Sequence, residues 1–336
     1  MTEGKYYSRR PSGVVHCELC PIHCMLKNGE TGKCNARTNK NGTLNADSYG
    51  VLSAIAIDPV EKKPLYHYYP GSKILSVGSF GCNLSCLFCQ NCSISQEKPV
   101  MHSEHSGYTP ESLFSILKKE GISMLAYTYN EPVVFYEFML DTASYLAARN
   151  MRNVMVTNGF IEAQPLRELV KFIDAFNVDL KSFRHEFYRK ITSGSLDPVL
   201  RSLEIIYNAE KHLEITYLVI PGLNDDPEDF SKMITYLAST FGPGQVLHIS
   251  RYFPKFRLDI PATPPEIIEG LSSIAREQLN YVYIGNTGAR FDSNTYCPGC
   301  GNLLIERMNY TTVVRGLLNV RCQQCDHVIP GKFIQS

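Results

Sequence analysis

Twelve cysteines in 336 residues fall into three groups: Cys17, Cys20, Cys24 and Cys34; Cys82, Cys86, Cys89 and Cys92; and Cys297, Cys300, Cys322 and Cys325. Disulfide frameworks belong to small secreted domains, whereas close-spaced cysteines in an intracellular enzyme serve more often as metal ligands, so the grouping predicts three metal sites. The central group lies on the stretch GCNLSCLFCQNCSIS, residues 81–95. Its C-x3-C-x2-C spacing at Cys82, Cys86 and Cys89 puts three soft thiolates on one short loop, enough to hold three irons of a 4Fe–4S cube. The fourth iron would stay open. A small molecule bearing an amine and a carboxylate can chelate it there and receive an electron.

Cys92 adds a further C-x2-C step, so four local thiols could instead close around zinc, or Cys89 and Cys92 could form a redox dithiol. We read Cys92 as a half-buried thiol outside the ligand set. The N-terminal group, in CELCPIHCMLKNGETGKC, has spacings x2, x3 and x9, with Gly29 and Gly32 placed to fold the backbone so that Cys34 meets the others. Four thiols there suit zinc and also a second iron–sulfur cluster. His16 and His23 could replace one thiol, although a histidine beside a metal loop is more often a surface residue. The C-terminal group, C-x2-C-x21-C-x2-C around short β-rich runs at 310–314 and 317–320, reads as a zinc ribbon, with a rubredoxin-like iron centre as the alternative.

Lysine plus arginine and aspartate plus glutamate number 33 each. A balanced chain has no net field to draw a polyanion, so no nucleic-acid partner is expected. No secretory signal pattern precedes Cys17 and no apolar run approaches a membrane span, so the chain reads as soluble and cytoplasmic.

The central loop follows an apolar run at 74–77, and from there strand-like and amphipathic segments alternate. Strand runs are 74–77, 124–129, 153–157, 175–180, 213–220, 246–250 and 281–284; helical stretches are 110–120, 133–150, 164–173, 198–210, 227–241 and 265–278. Such alternation predicts parallel strands with crossover helices, as a doubly wound sheet or an incomplete barrel. In both, ligands gather at the C-terminal strand ends. The distinctive polar residues fall there: Tyr129, Asn130 and Glu131 after the second strand, Thr157 and Asn158 after the third, Asp179 and Lys181 after the fourth, and Arg251 after the sixth. Asp179 and Lys181 alternate along one strand and so point to the same side. Residues 1–15 look like a loosely held polar arm. Residues 58–71, punctuated by Pro59, Pro64 and Pro70, look like an irregular linker wrapping the outside of the next domain. A sharper reading puts Lys63 and His67 near the active site.

The x3-x2 cysteine loop resembles that of radical S-adenosylmethionine (SAM) enzymes. Thr157-Asn158-Gly159 and Asp179-Leu180-Lys181 resemble segments of glycyl-radical-enzyme activating enzymes. Across nearly the whole chain the pattern is similar to the radical SAM member of the AmmeMemoRadiSam system, a family related to pyruvate formate-lyase activating enzymes. The residues that carry this are Cys17-Glu18-Leu19-Cys20-Pro21 with Gly32-Lys33-Cys34, the segment from Asp58-Pro59 to His67, residues 81–95 and 127–132, and the terminal cysteine pairs. The family commonly has an aromatic where this chain has Cys92.

The resemblance implies an α/β fold, a partial (β/α)6 TIM-like barrel at 71–290, with an N-terminal Cys-rich metal module and wrapping segment at 1–70 and a C-terminal zinc ribbon at 291–336. It implies a 4Fe–4S cluster on Cys82, Cys86 and Cys89 that cleaves SAM to a 5'-deoxyadenosyl radical, and an electron donor such as flavodoxin or ferredoxin. Phe88 would pack near the adenine. Tyr129, Asn130 and Glu131 would meet the methionine amine, and Thr157, Asn158, Asp179, Lys181 and, more weakly, Arg251 the rest of SAM. The substrate, a protein or a small molecule, is not specified. Two other classes compete: a non-catalytic zinc-binding scaffold, and a thiol–disulfide oxidoreductase acting through Cys89 and Cys92.

Overall fold

The structure, a computed structural model, describes residues 2–99, 106–308 and 311–333. Tyr310, at the start of one sequence-derived strand, lies outside them, as do residues 334–336.

Seven parallel strands form the centre: β1 (Lys73–Gly78), β2 (Met124–Tyr127), β3 (Arg152–Thr157), β4 (Ala175–Asp179), β5 (His212–Val219), β6 (Val246–Arg251) and β7 (Tyr281–Gly285). They pair in chain order, and the strand Ala54–Pro59 joins β1 antiparallel at one edge. Six helices cross between them: α1 (Pro110–Lys119), α2 (Tyr136–Ala147), α3 (Ala163–Leu169), α4 (Asp197–Asn208), α5 (Pro227–Phe241) and α6 (Pro265–Arg276). The result is an α/β partial barrel of six strand–helix units closed off by a seventh strand. Parallel strands buried on both faces need continuous apolar runs, and β2 is buried at every residue.

The helices carry their own stops. Thr109 and Ser112 exchange side-chain-to-backbone hydrogen bonds ahead of α1, with Pro110 at its first position. Asp226 Oδ1 accepts from Asp229 N to start α5, which ends at Gly242 with φ of 84°. Between those caps α5 buries Phe230, Met233, Ile234, Leu237 and Phe241, each contributing roughly 1.5–3 kcal/mol. Every crossover therefore returns the chain to the same end, and all seven C-terminal strand ends meet at one rim.

Two expectations fail here. Residues 58–71 do not wrap the outside: Lys63, Leu65, His67 and Tyr68 are buried, and Leu65 and Tyr68 pack with Ile74, Met124, Val154 and Ala175 across the barrel floor. Glu214, fully buried on β5, accepts from the backbone N–H groups of Tyr66 (2.9 Å) and His67 (2.7 Å). Two C-terminal sheets, one of Thr295–Tyr296, Leu303–Met308 and Thr311–Val314 and one of Leu317–Leu318 and Arg321–Cys322, with the segment after them, clamp the same strap from the other side, Arg307 donating to Tyr66 O and Tyr69 N donating to Lys332 O. Proline blocks regular pairing, but it does not say which side of a sheet the chain takes. Nor is the N-terminus a loose arm. Thr2–Glu3 pairs with Thr43–Ala46 and Tyr7–Arg9 with Val15–Cys17, and Val15 is fully buried. These sheets seat on α2 through a buried ion pair between Arg37 and Glu137.

Candidate functional site

The loop after β1 is fixed from both sides. Gly81 has φ of +88°, and a Cβ there would stand 2.1 Å from Cys34 O, so only glycine lets the N-terminal module press against it. Ser85 N and Leu87 N donate to Thr192 O and Ile191 O, and Gly81 N donates to Ile94 O. Asn130 bridges the loop to the second strand end, its Oδ1 accepting from Ser79 N and its Nδ2 donating to Gly81 O, each at 2.9 Å. These bonds hold the thiols of Cys82, Cys86 and Cys89 toward a cavity of about 380 Å³ at the rim, a size within the roughly 300–1,000 Å³ of small-molecule sites.

That cavity collects most of the sequence candidates: Phe88, Tyr129, Asn130, Glu131, Thr157, Asn158, Asp179 and Lys181 all line it. Arg251 does not. Its Nε donates to Thr263 O at 2.7 Å and its guanidinium stands over Phe253, so it braces the loop after β6. Cys92 opens a short helix, Cys92–Ser95, and is not among the lining residues, whereas Ser95 is, with Oγ 3.1 Å from Cys89 Sγ. Of the strap, Lys63 reaches the cavity floor but His67 does not; it is buried between Pro330 O (2.8 Å) and Tyr283 Oη (2.7 Å).

Glu131 is the electrostatic centre of one wall. Its Oε1 accepts from Thr157 Oγ1 (2.7 Å) and Val133 N (3.1 Å), and its Oε2 from Asn158 N (2.7 Å). Burial nevertheless pushes it up to about 7, against the pull of those donors. Opposite, Lys181 Nζ sits 3.1 Å from Asp179 Oδ2 and 5.8 Å from the Phe88 ring centre. Burial opposes its charge, but Asp179 and Cys86 outweigh that and raise its pKa. Burial also raises Cys82 and lifts Cys86 to about 11. Thiols so placed ionise only with a cation to hold them, which is what a metal centre supplies.

Of the floor, sequence pointed to Lys63 but not to its partner. Asp58, from the edge strand, bonds Lys63 Nζ (2.8 Å) and Tyr129 Oη (2.9 Å), and although burial pushes it up, these donors hold it at about 2. Thr216 and Ser250 line the wall from β5 and β6. A polar residue at an inward position of an apolar strand is the only trace such residues leave in a sequence.

Residues 76–234 match the model of the radical SAM superfamily, so the stretch that builds most of the partial barrel and its thiol-lined rim is a radical SAM domain. A radical SAM methyltransferase from Sphaerobacter thermophilus shares the fold, with a TM-score of 0.51, 13% identity, and coverage of 70% of this chain and 71% of that one. An uncharacterized protein of Methanocaldococcus jannaschii, MJ0808, is 40% identical over 98% of this chain and 99% of its own length. The chain belongs to the same family as that protein. The benzylsuccinate synthase activating enzyme of Thauera aromatica is 30% identical over 32% of this chain, which spans only 33% of that enzyme's length. A radical SAM domain implies a 4Fe–4S cluster and SAM. The donor set fits: three thiols face one cavity and, among the described lining residues, no fourth cysteine does.

Among the described residues no helix is long and apolar enough to cross a membrane. At the C-terminus Cys297 Sγ lies 3.5 Å from Cys325 Sγ and Cys300 Sγ 3.7 Å from Cys322 Sγ, compatible with a zinc ribbon, whose metal–sulfur bonds are about 2.3 Å.

Proposed function

We propose that this chain reductively cleaves SAM and directs the resulting radical at a C–H bond of a protein or small-molecule substrate, in the manner of a glycyl-radical-enzyme activase. The observation that carries the reading is the convergence of Cys82, Cys86 and Cys89 with Glu131, Asp179 and Lys181 on one cavity. A 4Fe–4S cluster with one open iron, when bound there, supplies an electron to the S–C5' bond of SAM. The chain's own work is placement. Glu131, fixed by three donors, offers its carboxylate to the methionine amine, whose positive charge would favour the ionised form against burial; Lys181 offers its ammonium to the carboxylate; Phe88 gives an apolar wall for the adenine; Thr157 and Asn158 hold Glu131 in position. Lys63, Asp58 and Tyr129 close the floor against water.

Resemblance over nearly the full sequence supports assignment to the AmmeMemoRadiSam system. A one-electron donor of the flavodoxin or ferredoxin class, a cytoplasmic setting and zinc at Cys297, Cys300, Cys322 and Cys325 belong to the same proposal, as do the expected module boundaries near residues 70 and 290. The test is anaerobic reconstitution with iron and sulfide, then dithionite and SAM. 5'-Deoxyadenosine is expected from the native chain and at background level from Cys86→Ala. Equal amounts from both would sink the proposal.

A further inference from the structure

We infer that Cys17, Cys20, Cys24 and Cys34 hold a second 4Fe–4S cluster, capped on every iron by protein sulfur, which relays electrons to the barrel cavity. The four thiols line one cavity, walled by Leu19, Ile22, Leu26, Val133 and Val134. His16 and His23 are not among its lining residues, and His23 Nε2 faces Glu162 instead. The donor set is therefore all sulfur, which suits zinc and iron–sulfur clusters alike. Spacing separates the two. Among the described residues, the C-terminal cysteines are the only group of metal-binding side chains whose ligand atoms all lie within 4.8 Å of one another. A single zinc with bonds of about 2.3 Å draws its four sulfurs that close. No three of the N-terminal sulfurs lie that close to one another, and all four residues line a cavity, which suits ligands to the corners of a cube better than ligands to one ion.

One buried donor also faces the thiols. Arg37, only 1% exposed, reaches to 3.8 Å from Cys17 Sγ with its Nη1, and among the described residues its Nε has no hydrogen-bond partner. Its Nη1 also donates to Lys5 O, and its Nη2, paired with Glu137, ties the cage to α2.

The relay follows from adjacency. Cys34 O rests on Gly81, and the next two residues divide between the sites: Cys82 lines the barrel cavity and Asn83 lines the N-terminal one. Asn158 Nδ2 spans the junction, 3.0 Å from Asn83 Oδ1 and 3.8 Å from Cys82 Sγ. One electron from a donor of the flavodoxin or ferredoxin class would reduce the N-terminal cluster and pass on to the barrel cluster, leaving the first oxidised again. The relay rests on the proposed SAM chemistry; the cluster assignment does not.

The test uses the full chain, purified and reconstituted without oxygen. Metal analysis of the native protein is expected to give one zinc per chain, and a Cys82→Ala, Cys86→Ala, Cys89→Ala variant is expected to keep about four irons and four sulfides, with an electron paramagnetic resonance signal that SAM leaves unchanged. Two zincs in the native protein, or an iron-free triple variant that still holds zinc, would overturn the assignment. Equal iron in the native and triple-variant proteins would instead remove the barrel cluster and leave the N-terminal one standing. For the relay, Cys20→Ser with Cys24→Ser is expected to lower flavodoxin-driven cleavage at least tenfold while dithionite-driven cleavage persists; an unchanged flavodoxin-driven rate contradicts it.

Discussion

Gly81 carries two constraints at once, a left-handed backbone and the carbonyl of Cys34 against its Cα. Gly81→Ala violates both, and a loss of about 1–3 kcal/mol is expected from the strain, read as a lowered denaturation midpoint; an unaltered midpoint would show that the two segments are not pressed together. Glu131→Gln keeps the shape but removes the charge. Charged hydrogen bonds contribute about 1.5–3 kcal/mol, so SAM affinity measured by titration should drop about 10- to 100-fold, with the fold retained. An unchanged affinity would move the amine site elsewhere. At this scale the cysteines were legible because soft ligands at short, regular intervals have few other uses. Arg251 misled for the opposite reason: an arginine at a strand end has several carbonyls and rings to choose from, and here Thr263 O and Phe253 take it.

Among the elements, the strap at 58–71 behaves least like its sequence. Its anchor, Glu214, lies more than 140 residues away, accepting from Tyr66 N and His67 N as well as His212 Nε2 (2.8 Å) and His248 Nε2 (2.6 Å). No local pattern in 58–71 encodes that partner, so burial could not be read there, while the seven strand runs and six crossovers could, from apolar stretches ended by polar ones. Glu214→Ala leaves several buried donors unmatched and is expected to cost about 3–5 kcal/mol, seen in the denaturant midpoint. Acid should act on the same region. Burial lowers His67 from 6.5 to about 4, with Glu214 opposing, so the unfolded chain binds a proton that the folded one refuses. Stability then falls as pH drops from 6.5 toward 4, by about 3 kcal/mol for this group alone. Glu214, opposed by burial but held well below the carboxylate range by His212 and His248, adds a further loss as pH falls below about 4.5. A His67→Gln variant should show a flatter slope between pH 6.5 and 4; an identical slope would place the proton elsewhere.

Across the whole molecule, the segments that carry the N- and C-terminal cysteine groups both fasten onto one barrel. The C-terminal sheets hold the floor strap through Arg307, Pro330 and Lys332, and the N-terminal sheets hold the cysteine loop through Cys34. Cys322→Ser should abolish the metal binding proposed for the C-terminal cysteines and speed amide exchange at 66–69 while β2 to β4 stay protected; uniform exchange across both would deny the strap its separate support. The modular grouping of cysteines was plain in the sequence, but the way both ends of the chain converge on residues 60–90 was not, because it depends on contacts between segments with no shared pattern.

The central claim is an iron left open to SAM at Cys82, Cys86 and Cys89. Its most direct measurement is the electron paramagnetic resonance spectrum of the dithionite-reduced native protein before and after SAM, with the triple cysteine variant as blank. A SAM-induced change in the cluster signal, absent from the blank, is the expected result. A signal indifferent to SAM, or no cluster signal lost with those three thiols, would contradict the assignment.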